Sequence, residues 1–316
     1  MALSLSPKKA LAEWKLYLFL IPSLILILTF SYYPAVSAIY HSFFRWNGGE
    51  SIEFIGFQNY AQILKDKIFL NSFLTIGILI VANLVKMIPS IVMAVFIHRL
   101  TSTKFQYWYR VLLVMPMVVP GLVTLFIWKF FLNPNLGALN YFLDLTGLKS
   151  LLVYLDHLFG WGGLFLNDVP IAWLGEPQLI VPSLIIWGFP WIGAVGVLMF
   201  IAGLQSIGTE IYEAADIDGI GPIGKFIYIE LPLIMTQIRV SIVLMTIGTL
   251  QSFGIQFLLL GENGGPGGAG MVPGLWMFNR AFIAGEFGYA CALGLCLFVV
   301  ILLMTFINNK FLRVEK

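Results

Sequence analysis

Six stretches of this sequence are apolar for long enough to cross a bilayer, which takes roughly 20 helical residues. They run approximately over residues 16–40, 72–97, 107–132, 179–204, 233–260 and 287–308. In lipid every backbone polar group must be satisfied within a helix or a closed barrel, so runs of this length are expected as helices. Composition agrees, with 59% hydrophobic and 11% charged residues and a mean hydropathy of +0.91, against about 25% charged residues in soluble domains. The expected fold class is an all-α integral membrane protein of six transmembrane helices. Pro22, Pro89, Pro116, Pro120 and Pro190 fall inside the runs, where membrane helices tolerate them if neighbours re-satisfy the backbone. A net charge of +2 is too small for a nucleic-acid partner. Cys291 and Cys296 share one apolar run and are expected as packing residues, with neither a disulfide nor a metal site implied.

Lys and Arg fix the orientation. Lys8, Lys9, Lys15, Arg99, Lys104, Arg110, Lys225, Arg239, Lys310, Arg313 and Lys316 collect on one side, against Arg45, Lys65, Lys67, Lys149 and Arg280 on the other, with Lys129 near the boundary. The positive-inside rule places both termini and the loops at 98–106 and 205–232 in the cytoplasm. The run after Lys15 lacks a small-residue cleavage site and is expected to be a first span, not a signal peptide. The expected organisation is a cytoplasmic segment 1–15 and a single membrane domain 16–316, with an external segment 133–178.

Between the fourth and fifth runs lies a polar excursion: Glu213-Ala214-Ala215-Asp216-Ile217-Asp218-Gly219, nine residues, then Ile229-Glu230-Leu231-Pro232. It predicts two short amphipathic helices, turning at Gly219, with Pro222 opening the second and Leu231-Pro232 closing the excursion. Glu213, Asp216 and Asp218 would give the first an acidic face toward water. The spacing Glu-Ala-Ala, three residues, Gly, nine residues, Ile-x-Leu-Pro resembles the signature loop of the permeases of binding-protein-dependent ABC transporters. The resemblance implies a coupling helix docking on a cytoplasmic ATPase, through Glu213, Ala214, Ala215, Asp218 and Gly219. It also implies a second, similar permease subunit, two ATP-binding cassette ATPase subunits and an external solute-binding protein, in a bacterial or archaeal inner membrane.

The outward loops add family likenesses. Phe54-Ile55-Gly56-Phe57-Gln58-Asn59-Tyr60 is similar to a Phe-x-Gly-x-x-Asn-Tyr stretch of sugar permeases, and reads equally as a turn with aromatic interface anchors. Leu151-Leu152-Val153-Tyr154-Leu155 is too short to span and is expected as an amphipathic surface helix. Trp173-Leu174-Gly175-Glu176-Pro177 resembles a segment preceding the fourth span in relatives. The glycines of residues 261–273 predict a flexible turn.

Gly219-Ile220-Gly221-Pro222-Ile223-Gly224-Lys225-Phe226 has the spacing of a phosphate-binding P-loop, but Phe226 stands where a magnesium-ligating hydroxyl is required. The chain is therefore not expected to be an enzyme. It should bind no cofactor itself, with ATP and magnesium on the partner ATPase. His41, His98 and His157 have no carboxylate or cysteine at ligand spacing.

Met245, Thr249, Ser252 and Gln256 recur at intervals of four, three and four on one helix face, with Phe253 beside them. Such a stripe lines a path or joins helices; the resemblance places it on the sugar site of maltose-type permeases. Gly188-Phe189-Pro190-Trp191 is similar to a second element of that site, where Trp191 would stack on a sugar or anchor a kink. Lys86, one turn after Asn83, is expected to snorkel to the cytoplasmic end. The resemblance implies an importer subunit translocating a sugar, most simply an oligosaccharide, with lipid around it. The alternative is an ion-gradient-driven secondary transporter, a class that ordinarily shows an internal repeat and an intramembrane acid.

Overall fold

The computed structural model describes residues 18–50 and 52–311; the expectations on 1–15, on the start of the first run and on Arg313 and Lys316 lie outside them. The described chain is helical apart from one two-stranded hairpin. Among the described residues three helices are long and apolar enough to cross a membrane, Ile21–His41, Lys67–Arg99 and Phe287–Asn308, and up to six spans arise if each of three bent pairs counts as one.

The described residues up to Lys65, with Arg280–Cys296, form one compact unit; Asp66–Asn279 and the residues from Leu297 form another. In the first unit, strands β1 (Phe44–Trp46) and β2 (Ile52–Phe54) pair antiparallel, with Arg45 opposite Glu53. Their side chains form an ion pair at 2.8 Å. The Phe-x-Gly-x-x-Asn-Tyr stretch closes this hairpin. Gly56 takes φ +58°, and buried Asn59 donates from Nδ2 to the carbonyls of Ser42 (2.8 Å) and Phe44 (3.0 Å). The Tyr60 hydroxyl bonds the Ser42 hydroxyl at 2.7 Å. The Ile21–His41 helix carries no buried residue in its apolar window; an apolar surface of that extent is one that lipid or protein covers.

In the second unit, the 33-residue helix Lys67–Arg99 is the organising element. At 1.5 Å per residue it is about 50 Å long, well beyond the roughly 30 Å of a hydrocarbon core. Asp66 caps its start, accepting from Ile68 N and Phe69 N at 3.0 Å, and Trp276 Nε1 donates to the other carboxylate oxygen at 2.7 Å. One hydrophobic cluster, including Ile76, Leu79, Ile180, Leu250 and Leu275, packs near its first half. A second, including Ile91, Ala94, Val197, Phe200 and Ile234, packs near its last turns.

Three of the expected spans are interrupted. The third bends by 87° between Thr103–Val118 and Gly121–Phe131, where Pro116 and Pro120 remove backbone donors. The fourth stops at Ile186 and resumes at Ala194. The fifth stops at Gln251 and resumes at Gly254. Residues 133–178 carry two helices, Ala138–Thr146 and Leu148–Phe159; Val153 and Asp156 are the buried positions of the second. Asp156 accepts from Phe165 N at 2.7 Å, and Trp173 Nε1 donates to Asn140 Oδ1 at 2.8 Å. The glycine-rich segment is a packed turn, not a loose one. Gly264 (φ +69°) leaves no room for a Cβ, which would fall 2.8 Å from Met271 N.

Candidate functional site

The excursion after the fourth run begins with a 73° turn between Ala194–Leu204 and Thr209–Ile217. Thr209–Ile217 carries the Glu-Ala-Ala residues: Ala215 is buried, while Glu213, Ala214, Asp216 and Asp218 are exposed. The helix ends by folding back on itself. Asp218 N donates to Ala214 O, Gly219 N to Asp216 O and Ile220 N to Ala215 O, at 3.0, 3.1 and 2.9 Å. Gly219 takes φ +70° to allow this, and Pro222 occupies the first turn of the next helix. Leu231-Pro232 does not close the excursion: the helix runs through it to Leu233, and the 65° break falls before Met235.

Sequence reading missed what anchors this loop. Glu230 is fully buried and accepts from Arg99 at both oxygens, Nε to Oε1 at 3.0 Å and an Nη to Oε2 at 2.7 Å. The same Arg99 donates to Pro222 O at 2.8 Å. The Tyr212 hydroxyl donates to Glu230 at 3.4 Å. Burial, and then the Glu230 carboxylate, push its phenol up to about 12, so it remains a donor at neutral pH. The last turn of Lys67–Arg99 is thus tied to both helices of the loop. The available signal was a lone acid, Glu230, at the edge of an apolar run, with Arg99 ending another.

The polar stripe lies at a second place. A cavity of about 320 Å³ is lined by Met245, Thr249, Ser252 and Gln256 together with Asn83, Lys86, Leu184 and Trp187. The helix carrying the stripe breaks at Ser252, whose backbone is extended, so the four residues share a cavity although not one unbroken helix. The Thr249 hydroxyl is fully engaged, donating to Met245 O at 2.8 Å and accepting from Asn83 Nδ2 at 2.9 Å. Gln256 Oε1 and Trp187 Nε1 are buried and have no hydrogen-bond partner. Lys86 turns inward, its Nζ 3.4 Å from Leu184 O and 3.5 Å from Trp187 O, and does not reach for the helix end.

Phe253, Gly188 and Trp191 are outside this lining. Phe253 stacks on Phe278 with centroids 5.5 Å apart, and exposed Gly188 takes φ +81° at the break. Trp191 holds φ +61°, a costly conformation for a bulky residue. Its indole donates to Ile185 O at 3.1 Å and its carbonyl accepts from Ser90 Oγ at 3.2 Å. Its ring lies 5.9 Å from Lys86 Nζ.

Apolar spans interrupted at defined points, a partly open cavity with polar residues in its lining and a loop tied by an ion pair are the features of a multi-pass membrane protein. Residues 63–313 match the family of the binding-protein-dependent transport system inner membrane component, and the chain belongs to it. It is 28% identical to the multiple sugar-binding transport system permease protein MsmF of Streptococcus mutans, over 96% of this chain and 97% of that one. It is also 28% identical to the trehalose/maltose transport system permease protein MalF of Thermococcus litoralis, over 97% of each chain. Its fold matches a chain of a bacterial alginate ABC transporter solved with an alginate pentasaccharide-bound periplasmic protein, with TM-score 0.77, 20% identity and coverage of 97% of this chain and 96% of that one.

Proposed function

We propose that this chain is the membrane permease subunit of an ATP-driven importer that moves a saccharide into the cytoplasm, coupled to a separate ATPase through the loop at 205–232. The observation that carries the coupling is the contrast within that loop. Glu213, Ala214, Asp216 and Asp218 are exposed, while the framework behind them is fixed by the buried Glu230–Arg99 pair. An exposed acidic helix on a rigid base suits a docked partner, because contact made at the helix passes to the span instead of dissipating in the loop.

ATP and magnesium belong to that ATPase; this chain contributes no bond-making step. A second permease subunit and two ATPase subunits complete the membrane assembly, and both termini lie in the cytoplasm. The saccharide reading rests on the named cargo of the relatives and on the cavity lined by Asn83, Ser252 and Gln256, whose polar side chains suit hydroxyls. The bound periplasmic protein of the alginate transporter supports delivery by an external binding protein. An ion-gradient mechanism is less well supported, since among the described residues the buried carboxylates, Asp156 and Glu230, are both engaged.

The test is purification of the tagged chain from its native membrane in mild detergent, with partners identified by mass spectrometry. Recovery of a P-loop ATPase and a second permease is expected. Recovery of the chain alone, with uptake indifferent to Glu213→Lys, would overturn the reading.

A further inference from the structure

We infer that the cavity takes a saccharide bearing a negative group, a carboxylate, sulfonate or phosphate, and that Lys86 selects it. This rests on the reading of the cavity as part of the saccharide path. A lysine ammonium has three N–H donors. Two face the carbonyls of Leu184 and Trp187 at 3.4 and 3.5 Å, long bonds to uncharged acceptors at the end of the Pro177–Ile186 helix. These orient the cation without neutralising it. The ion pairs among the described residues are Arg45–Glu53, Arg99–Glu230, Lys149–Asp144, Lys225–Asp216 and Arg280–Glu286, and none includes Lys86. No Asp or Glu lines the cavity.

A charge within a membrane span is costly unless it is paired. Trp191 supplies an aromatic ring at 5.9 Å, and the cavity is left as the place for a counter-charge. The neutral lining fits the rest of such a ligand, since Asn83, Ser252 and Gln256 bring polar side chains to it. One cation without an ion-pair partner beside about 320 Å³ of space is the complement of a singly charged sugar, held by a charge-assisted bond stronger than any neutral one. The scarcity of basic residues in the spans argues against a highly charged cargo, and agrees with a single negative group.

The assembly recovered through the tagged chain, held in lipid nanodiscs, would be offered two radiolabelled pairs at equilibrium: digalacturonate against galactobiose, and glucose 6-phosphate against glucose. The wild type is expected to bind the anionic member of at least one pair about tenfold more tightly or better, and the favoured pair separates carboxylate from phosphate recognition. Lys86→Met and Lys86→Gln should bring the two members of the favoured pair to within about twofold of each other, and Lys86→Arg should keep the preference. Equal binding within both pairs, or a preference that survives loss of the ammonium, would overturn the inference and leave the saccharide reading standing. If the wild type binds none of the four, the saccharide reading itself fails, and the inference with it.

Discussion

A carboxylate removed from Glu230 would strand the Arg99 guanidinium, and a buried pair broken on one side costs about 3–5 kcal/mol. Arg99 is about one-third exposed, so water recovers part of that, and Glu230→Gln should fall at or below the lower end. Thermal unfolding of the detergent-purified chain would register it; an unchanged Tm would mean that the clamp contributes nothing. Thr249 and Ser252 should separate although they are neighbours on the stripe. Thr249→Val deprives Asn83 of its acceptor and should lower stability by about 0.5–2 kcal/mol, the usual range for an interhelical polar contact in membranes. Ser252→Ala removes a hydroxyl that lines the cavity, so it should act on uptake. Identical behaviour of the two variants in both assays would show that the stripe has one role throughout. The structure gathers these residues at one cavity although the helix that the periodicity assumed is broken at Ser252, and periodicity could not distinguish a hydroxyl engaged by a neighbouring helix from one facing a cavity.

Elements were legible where length and polarity agreed. The Lys67–Arg99 helix, the Thr209–Ile217 helix and the turn at Gly219 follow from apolar length, alternating polarity and glycine. The breaks were harder to place, because proline is tolerated in membrane helices and its presence alone does not decide between a kink and an interruption. Ser252 and Phe253 break a helix without any proline, so no residue type announced it. Glycine positions give an element-scale test. At Gly219 an added Cβ meets nothing within 4 Å, so Gly219→Ala should cost only the left-handed backbone penalty of about 1–2 kcal/mol. Gly264→Ala carries the same penalty and also drives a Cβ against the backbone of Met271. It should be the more damaging in a side-by-side yield and melting comparison. The reverse order would show that the 261–273 segment yields as the sequence alone suggested.

For the whole molecule, most of the large exposed side chains are aliphatic or aromatic, a surface suited to lipid and to other membrane subunits. The acidic face of Thr209–Ile217 departs from that pattern. Glu213→Lys should leave membrane insertion and yield unchanged, because the residue is exposed, while reducing ATPase recovery with the tagged chain at least about tenfold. Undiminished recovery would place the docking elsewhere. The family was readable from the loop spacing, since spacing survives when most residues differ. The Glu230–Arg99 tie was not, because the partners stand 131 positions apart and no local pattern joins them.

Lys86 and Arg99 ride on one helix, 13 positions apart (99 − 86), or about 20 Å along its axis. Pro89 lies between them and cannot give the N–H that would tie it to Val85. The helix is therefore a rod with a proline joint set between the level that lines the cavity and the end gripped by the loop. A twist applied at Arg99 reaches Asn83 and Lys86 only through that joint. Its stiffness decides how much of a pull on the loop arrives at the cavity and how much is lost in bending.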